Sequence, residues 1–188
     1  MLLSSTLQMT IEEEIIEGCK KGNRQSFESL YKKYAGRLLS IAMRYSFTTF
    51  EAEDILQEAF IKIFNSIKSY EYKGSFEGWL KRIVVTTAIN HYHKDKSKQS
   101  KTELYYTEEE SDDAVDIISK MSADELLEII QTLPDGYRMV FNMYVIEGYT
   151  HKEIGELLSI SEGTSKSQLA KGRGLLKSKL LQKGIIIV

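Results

Sequence analysis

The sequence predicts an all-α protein of two small helical domains joined by a flexible acidic linker, the second domain carrying a helix-turn-helix. Three observations lead there. Apolar residues recur every three or four positions through both halves of the chain, and no run alternates with the two-residue period of a strand at comparable strength. Charge is sorted along the chain: Arg24 to Lys98 holds 13 Lys and Arg against 8 Asp and Glu, and Thr150 to Lys183 holds 7 against 3. Between them Thr102 to Asp116 holds 7 acidic residues and no basic one. Finally, Tyr149 to Arg173 reads as two short helices joined by a tight turn. The predicted divisions are an N-terminal segment with a short helix over 1–23, a first domain over 24–98, the linker over 99–121 and a second domain over 122–183.

In the first domain, Phe27, Leu30, Tyr31 and Tyr34 start a helical stripe that continues through Leu38, Ile41, Ala42 and Tyr45. A longer helix follows over about Phe50 to Ile67, with Ile55, Ala59, Ile63 and Phe64 on one side and Glu53, Asp54, Gln57 and Glu58 on the other. Lys73, Gly74 and Ser75 make a loop. Trp79, Leu80, Ile83, Val84, Ala88 and Tyr92 then give a further helix that ends in the basic run His93 to Lys98. The acidic stretch beyond it has Thr, Ser and Tyr but no helical period, so it reads as a solvated spacer.

The second domain opens at a Ser122/Glu125 capping box and packs Leu126, Ile129, Ile130 and Leu133 before Pro134, the one proline, stops the helix. Asp135 is the expected cap of the next helix, which contributes Met139, Val140, Met143 and Tyr144 and ends at Gly148. Thr150 with Glu153 forms another capping box, and the helix it opens turns Ile154, Leu157 and Leu158 inward. Ser159, Ile160 and Ser161 make the turn. Ser161 caps the last helix, from Glu162 towards Leu180, whose Leu169 and Leu176 face inward while Thr164, Lys166, Ser167, Gln168 and Lys171 stay outside. An ordinary helical hairpin with a solvated face has the same outline. A nucleic-acid reader places such a helix in the major groove, with small polar and basic side chains on base edges and phosphates.

Composition excludes several functions. With 188 residues and 42% hydrophobic content the chain builds real cores, and runs such as Ile185 to Val188 are far too short to cross a bilayer. Met1 to Thr10 has no signal-peptide pattern, so a cytoplasmic protein without membrane insertion is expected. Cys19 is the single cysteine, which leaves no intramolecular disulfide and no Cys/His cluster of metal-ligand spacing. His91 and His93 have no nucleophile, phosphate loop or HExxH beside them, and they are expected to face DNA or solvent. No enzyme, metal or cofactor is predicted. The net charge of −2 conceals two basic lobes able to attract a nucleic-acid backbone.

Taken in order, three motifs resemble the extracytoplasmic-function sigma factors, compact two-domain initiation factors of the sigma-70 family. AEDILQEAFIKIF at Ala52 to Phe64 is similar to the family's core-polymerase-binding helix. GWLKRIVVTTAINHY at Gly78 to Tyr92 is similar to its minus-10 helix, and LPDGYRMVFNMYVIEGYTHKEIGELLSISEGTSKSQLAKGR at Leu133 to Arg173 to its minus-35 domain. The resemblance implies a transcription initiation factor that binds RNA polymerase core and directs it to promoters. Asp54, Gln57 and Glu58 would meet the clamp helices of the beta-prime subunit. Tyr72, Phe76, Lys81, Arg82, Thr86 and Asn90 would handle the minus-10 element, with Tyr72 and Phe76 as loop aromatics for an unstacked base. Thr150, Thr164, Lys166, Ser167, Gln168, Lys171 and Arg173 would read the minus-35 element, Thr150 and Arg173 on phosphates. It further implies an anti-sigma factor as regulator and a linker that threads the polymerase channels. A conventional helix-turn-helix regulator that never joins polymerase core is the alternative, and it leaves the first two motifs unexplained.

Three positions depart from the family pattern. Thr86 stands in place of an asparagine that helps to read the minus-10 element, and Ser165 in place of an apolar residue in the recognition helix, which puts the seating of that helix in question. Gly172, with Gly174 two residues on, replaces a good helix former, so the helix is expected to fray beyond Ala170.

Overall fold

The computed structural model describes residues 10–98 and 123–182, and among these it holds eight α-helices and no strand. The acidic linker and Ser122 of the first predicted capping box lie outside the described residues. In the first lobe, α1 (Ile11–Lys20) starts at a Thr10/Glu13 capping box. It crosses α2 (Arg24–Tyr45) at Gly18, where a Cβ would sit 2.0 Å from the Ser26 hydroxyl. The stripe Leu30, Tyr34, Leu38, Ala42 and Tyr45 buries one face of α2. A second capping box, Thr48 with Glu51, opens α3 (Thr49–Ser66), whose Ala52, Ile55, Leu56, Ala59, Phe60 and Ile63 are buried. A short 3-10 turn at Ile67–Ser69 leads by a loop, with Gly74 at φ 83°, into α4 (Phe76–Lys98).

Phe76 differs from expectation. It is the first residue of α4, 2% exposed, with Tyr34, Tyr70 and Trp79 around it at ring distances of 5.8, 5.0 and 5.7 Å. A ring enclosed by three others is core, so no base can stack on it.

In the second lobe, α5 (Ala123–Gln131) and α6 (Asp135–Phe141) flank Pro134. Pro134 itself is the N-cap residue, so Asp135 lies one position inside the helix. Its carboxylate does not cap; it accepts from the Arg138 guanidinium at 2.6 Å. One π turn, Asn142–Ile146, continues α6 before Gly148 reverses the chain at φ 77°. The predicted Thr150/Glu153 capping box opens α7 (His151–Leu158), and the Ser161 hydroxyl accepts from the Thr164 amide to open α8 (Glu162–Gln182) at 2.9 Å. α8 runs unbroken past Ala170, contrary to the expected fraying. Gly172 is buried against Tyr137, where a Cβ would stand 3.4 Å from that residue's own Cβ, so the glycine serves close packing of α6 on α8.

The two lobes pack on each other around the C-terminal end of α2. Asn142, fully buried, donates to the Arg44 carbonyl at 2.6 Å, and Gln131 donates to the Met43 carbonyl at 3.1 Å. The Arg138 guanidinium lies 3.6 Å from the centre of the Phe47 ring. Glu147, its side chain 5% exposed, takes Arg44 at 2.9 Å and Lys81 at 2.7 Å. His93, through its Nε2–H, donates to the Leu157 carbonyl at 2.8 Å.

Candidate nucleic-acid interface

Helix α3 presents an outward stripe at positions 50, 54, 57 and 61, the four-three-four spacing of one helix face. Asp54 and Gln57 are exposed there, and so are Phe50 (70%) and Ile61 (61%). Two large apolar side chains thus stand in water beside an acidic and an amide side chain on that face. Glu58 points elsewhere. Its carboxylate holds Lys62 at 2.7 Å, His91 at 2.8 Å and Lys94 at 3.7 Å, and the Lys62 and His91 hydrogen bonds bring its pKa down to about 2. His91 and His93 are both half-buried and hydrogen-bonded within the protein, the first to this carboxylate and the second to a carbonyl. They therefore face neither DNA nor solvent freely, because α4 packs on α3 and on the second lobe along the side that carries them.

On α4, Arg82, Thr86 and Asn90 recur every four residues and are exposed. The Thr86 hydroxyl donates to the Arg82 carbonyl at 2.8 Å, and the residue borders a cleft of about 270 Å³ lined by Lys62, Trp79, Arg82, Ile83, Thr86 and Thr87. Lys81 lies on another face, engaged by Glu147. Tyr72 is 44% exposed and adopts φ 57°. Its hydroxyl donates to Glu17 at 2.8 Å, Lys20 sits 4.3 Å from its ring, and desolvation with the Glu17 bond pushes its pKa up to about 12. The six predicted minus-10 residues thus divide: three share one exposed face, Tyr72 is pinned on α1, Lys81 points to the second lobe and Phe76 is core.

On α8, Thr164, Lys166 and Ser167 are exposed on the first turns, with Lys171 half-buried one turn further. Lys166 pairs with Glu162 at 2.8 Å, whereas Lys171 has no polar partner among the described residues. Gln168 leans onto Gly136 of α6, whose Cβ, if present, would be 3.0 Å from the amide nitrogen. Thr150 is exposed at the start of α7, and Arg173 is half-buried. Ser165 lies between exposed neighbours and is itself fully buried, its hydroxyl 2.9 Å from His151 Nδ1. Among the described residues no group of three or more His, Cys, Asp or Glu could hold a metal ion, and no helix is long and apolar enough to cross a membrane.

Residues 30–98 match the family model of sigma-70 region 2, and residues 123–176 match that of sigma-70 region 4. The ECF RNA polymerase sigma factor SigW of Bacillus subtilis (strain 168) is 31% identical over 191 residues, covering 93% of this chain and 98% of its own length. The chain belongs to the extracytoplasmic-function sigma factors of the sigma-70 family. The ECF RNA polymerase sigma-E factor of Escherichia coli (strain K12) is 25% identical over 180 residues, spanning 90% of this chain and 94% of that one. The fold likeness extends to the sigma factor RpoE of Bartonella quintana, crystallised with the anti-sigma factor NepR, at TM-score 0.50 and 16% identity, covering 84% of this chain and 98% of that one. This sigma factor is accordingly a promoter-specific initiation factor associated with RNA polymerase, and the conventional-regulator alternative is set aside.

Sequence reasoning missed Phe50, Ile61 and Glu147 in this sigma factor. Extending the spacing of Asp54 and Gln57 by one step each way finds the first two. Glu147 gave no such signal, because its partners lie 103 and 66 positions away.

Proposed function

We propose that the sigma factor docks on polymerase core through the α3 stripe of Phe50, Asp54, Gln57 and Ile61, reads the minus-10 element with Arg82, Thr86 and Asn90 of α4, and reads the minus-35 element with the outer face of α8. The observation that carries this is the α3 stripe. Two large apolar side chains flank an acidic and an amide side chain on one rigid helix, which suits a basic protein partner and repels DNA. The clamp helices of the beta-prime subunit are the partner surface that the resemblance implies. On α4, Arg82 and Thr86 border an apolar cleft beside Trp79 and Asn90 follows one turn further on the same exposed face, a combination able to hold an unstacked base by its face and its edge.

Lys166, Ser167 and Lys171, with Thr164, supply donors to base edges, while Thr150 and Arg173 position the domain on phosphates. An anti-sigma factor is the regulator of this reading, in line with the complex in which the Bartonella relative was crystallised. The protein acts in the cytoplasm and contributes no catalytic group of its own. The test is in vitro transcription with purified core polymerase on a genomic promoter library, sequencing the RNA starts. Defined starts that share two upstream elements, and that are lost in Phe50→Ala/Ile61→Ser, support the reading; starts unaffected by that double variant refute the docking assignment.

A further inference from the structure

Ser165 poses a physical question that the rest of α8 does not. Its neighbours Thr164, Lys166 and Ser167 are exposed, yet Ser165 is at 0% exposure in the seam between α7 and α8. A buried hydroxyl is tolerated only with a partner. Here the partner is His151 Nδ1 at 2.9 Å. His151 is the first residue of α7, and its ring lies flat on Tyr144 of the π turn, with centroids 4.3 Å apart and planes 19° from parallel. The stack fixes where Nδ1 points. Two helices can meet this closely because Gly155 lies in the same seam, where a Cβ would be 2.9 Å from the Ile160 carbonyl. The π turn, α7 and α8 therefore meet at His151, by a ring stack on one side and one directional bond on the other.

We propose that His151 is a positioning residue for promoter reading: through Ser165 it fixes the rotation of α8 about its own axis and so sets base preference at the minus-35 element. An apolar side chain at 165 would pack without a preferred direction, whereas a hydrogen bond has one. The lever is short. Side-chain tips stand about 5–6 Å from a helix axis, so a turn of about 10° moves them by about 1 Å. That displacement takes a donor out of the roughly 2.7–3.2 Å window in which it bonds a base edge. Ser165 is flanked in sequence by Thr164 and Lys166, so the latch acts where the helix meets DNA. Burial and the cations Lys166 and Arg173 hold the His151 pKa below its usual value, against the opposing pull of Glu162. A neutral imidazole keeps Nδ1 able to accept from the serine hydroxyl.

This inference rests on the minus-35 assignment above, and its test separates the two. Holoenzyme made from core polymerase and the full chain transcribes a library randomised at the minus-35 element with the minus-10 element held constant. His151→Phe keeps the stack on Tyr144 and loses the bond; it is expected to relax preference at bases under the first turns of α8 by about ten-fold, with minus-10 preference unchanged. His151→Phe/Ser165→Ala removes both polar partners. Its thermal stability is expected to return towards wild type while preference stays relaxed. Recovery of preference together with stability would show the pair to be merely structural and overturn the proposal, as would an unaltered profile in His151→Phe. Failure of the wild-type holoenzyme to select any minus-35 sequence refutes the minus-35 assignment instead. Imidazole 15N spectra of the free full chain then decide the latch: Ser165→Ala is expected to shift the His151 Nδ1 resonance, and no shift overturns it.

Discussion

Replacing Glu147 with glutamine should loosen the contact between the lobes, and the structure sets the scale. The carboxylate is 5% exposed and holds two cations, Arg44 (20% exposed) at 2.9 Å and Lys81 (38% exposed) at 2.7 Å. Removing one partner of a fully buried pair costs about 3–5 kcal/mol. The Lys81 side is open enough to water that about 1 kcal/mol is the reasonable share there. Glutamine keeps the shape and an acceptor oxygen, which brings the combined loss to about 2–3 kcal/mol. At 1.4 kcal/mol per decade this is about a 30- to 150-fold shift in the closing equilibrium. A closed-to-open ratio of about 99 to 1 would fall to between about 3 to 1 and 2 to 3.

Spin labels at Gln25→Cys on α2 and Ser178→Cys on α8 read the change as a distance distribution. Cys19 stays silent in that experiment, because burial pushes its thiol pKa up to about 11. The expected result is a single population in the parent and a second, longer one in Glu147→Gln. Identical distributions in the two would refute the idea that this carboxylate holds the lobes together.

Three further outcomes are expected. Glu58→Gln should cost the first lobe about 1 kcal/mol once its one-third exposure is allowed for. Because the folded pKa lies at about 2 against a usual 4.5, that stabilisation is present above pH 4.5 and lost as pH falls towards 2, so parent and variant melting curves should converge in acid. Lys171→Ala, which removes a proposed donor to a base edge, should weaken holoenzyme binding to promoter DNA by about 1–3 kcal/mol at matched salt and relax preference at one minus-35 position; equal binding by the variant would exclude that contact. Gly174→Ala places its methyl in open space on α8 and should raise the stability of the second lobe by about 1 kcal/mol, read in denaturant unfolding.

What could be read from the residues alone was local. The Thr150/Glu153 capping box, the Ser161 cap and the stripe of Leu30, Tyr34, Leu38 and Ala42 are relations over three or four positions, and each stands in the structure as the spacing requires. The reversal at Asp135 is also local. Proline takes the cap position one residue early, and the aspartate, left inside the first turn, accepts from Arg138. Misread residues are those whose environment is assembled from afar. Phe76 reads as a loop aromatic until Tyr34, 42 positions earlier, closes over it. Gly172 counts as a helix breaker until Tyr137 occupies the space a side chain would need. Ser165 looks like a loss of seating until His151, 14 positions back, supplies its bond. Of the candidate contacts, Arg82, Thr86 and Asn90 keep one exposed face because the helix period alone puts them there. Glu58 and Lys81 do not, since each met an opposite charge on another element.

Lys81 carries the consequence that reaches furthest. Its ammonium rests on Glu147 while the lobes are together, and minus-10 phosphates would claim the same charge. The two promoter elements are about 25 base pairs apart, roughly 85 Å of duplex at about 3.4 Å per step. A compact chain of this length has a radius of gyration of only about 16 Å. A ruler that short cannot lie across that gap, so on the proposed reading the lobes part before both elements are occupied. Each phosphate gained at Lys81 is then an exchange for a carboxylate surrendered. Promoter affinity becomes the difference between two ionic contacts, and added salt weakens both. Its dependence on ionic strength should therefore be shallower than a count of the phosphates touched would suggest.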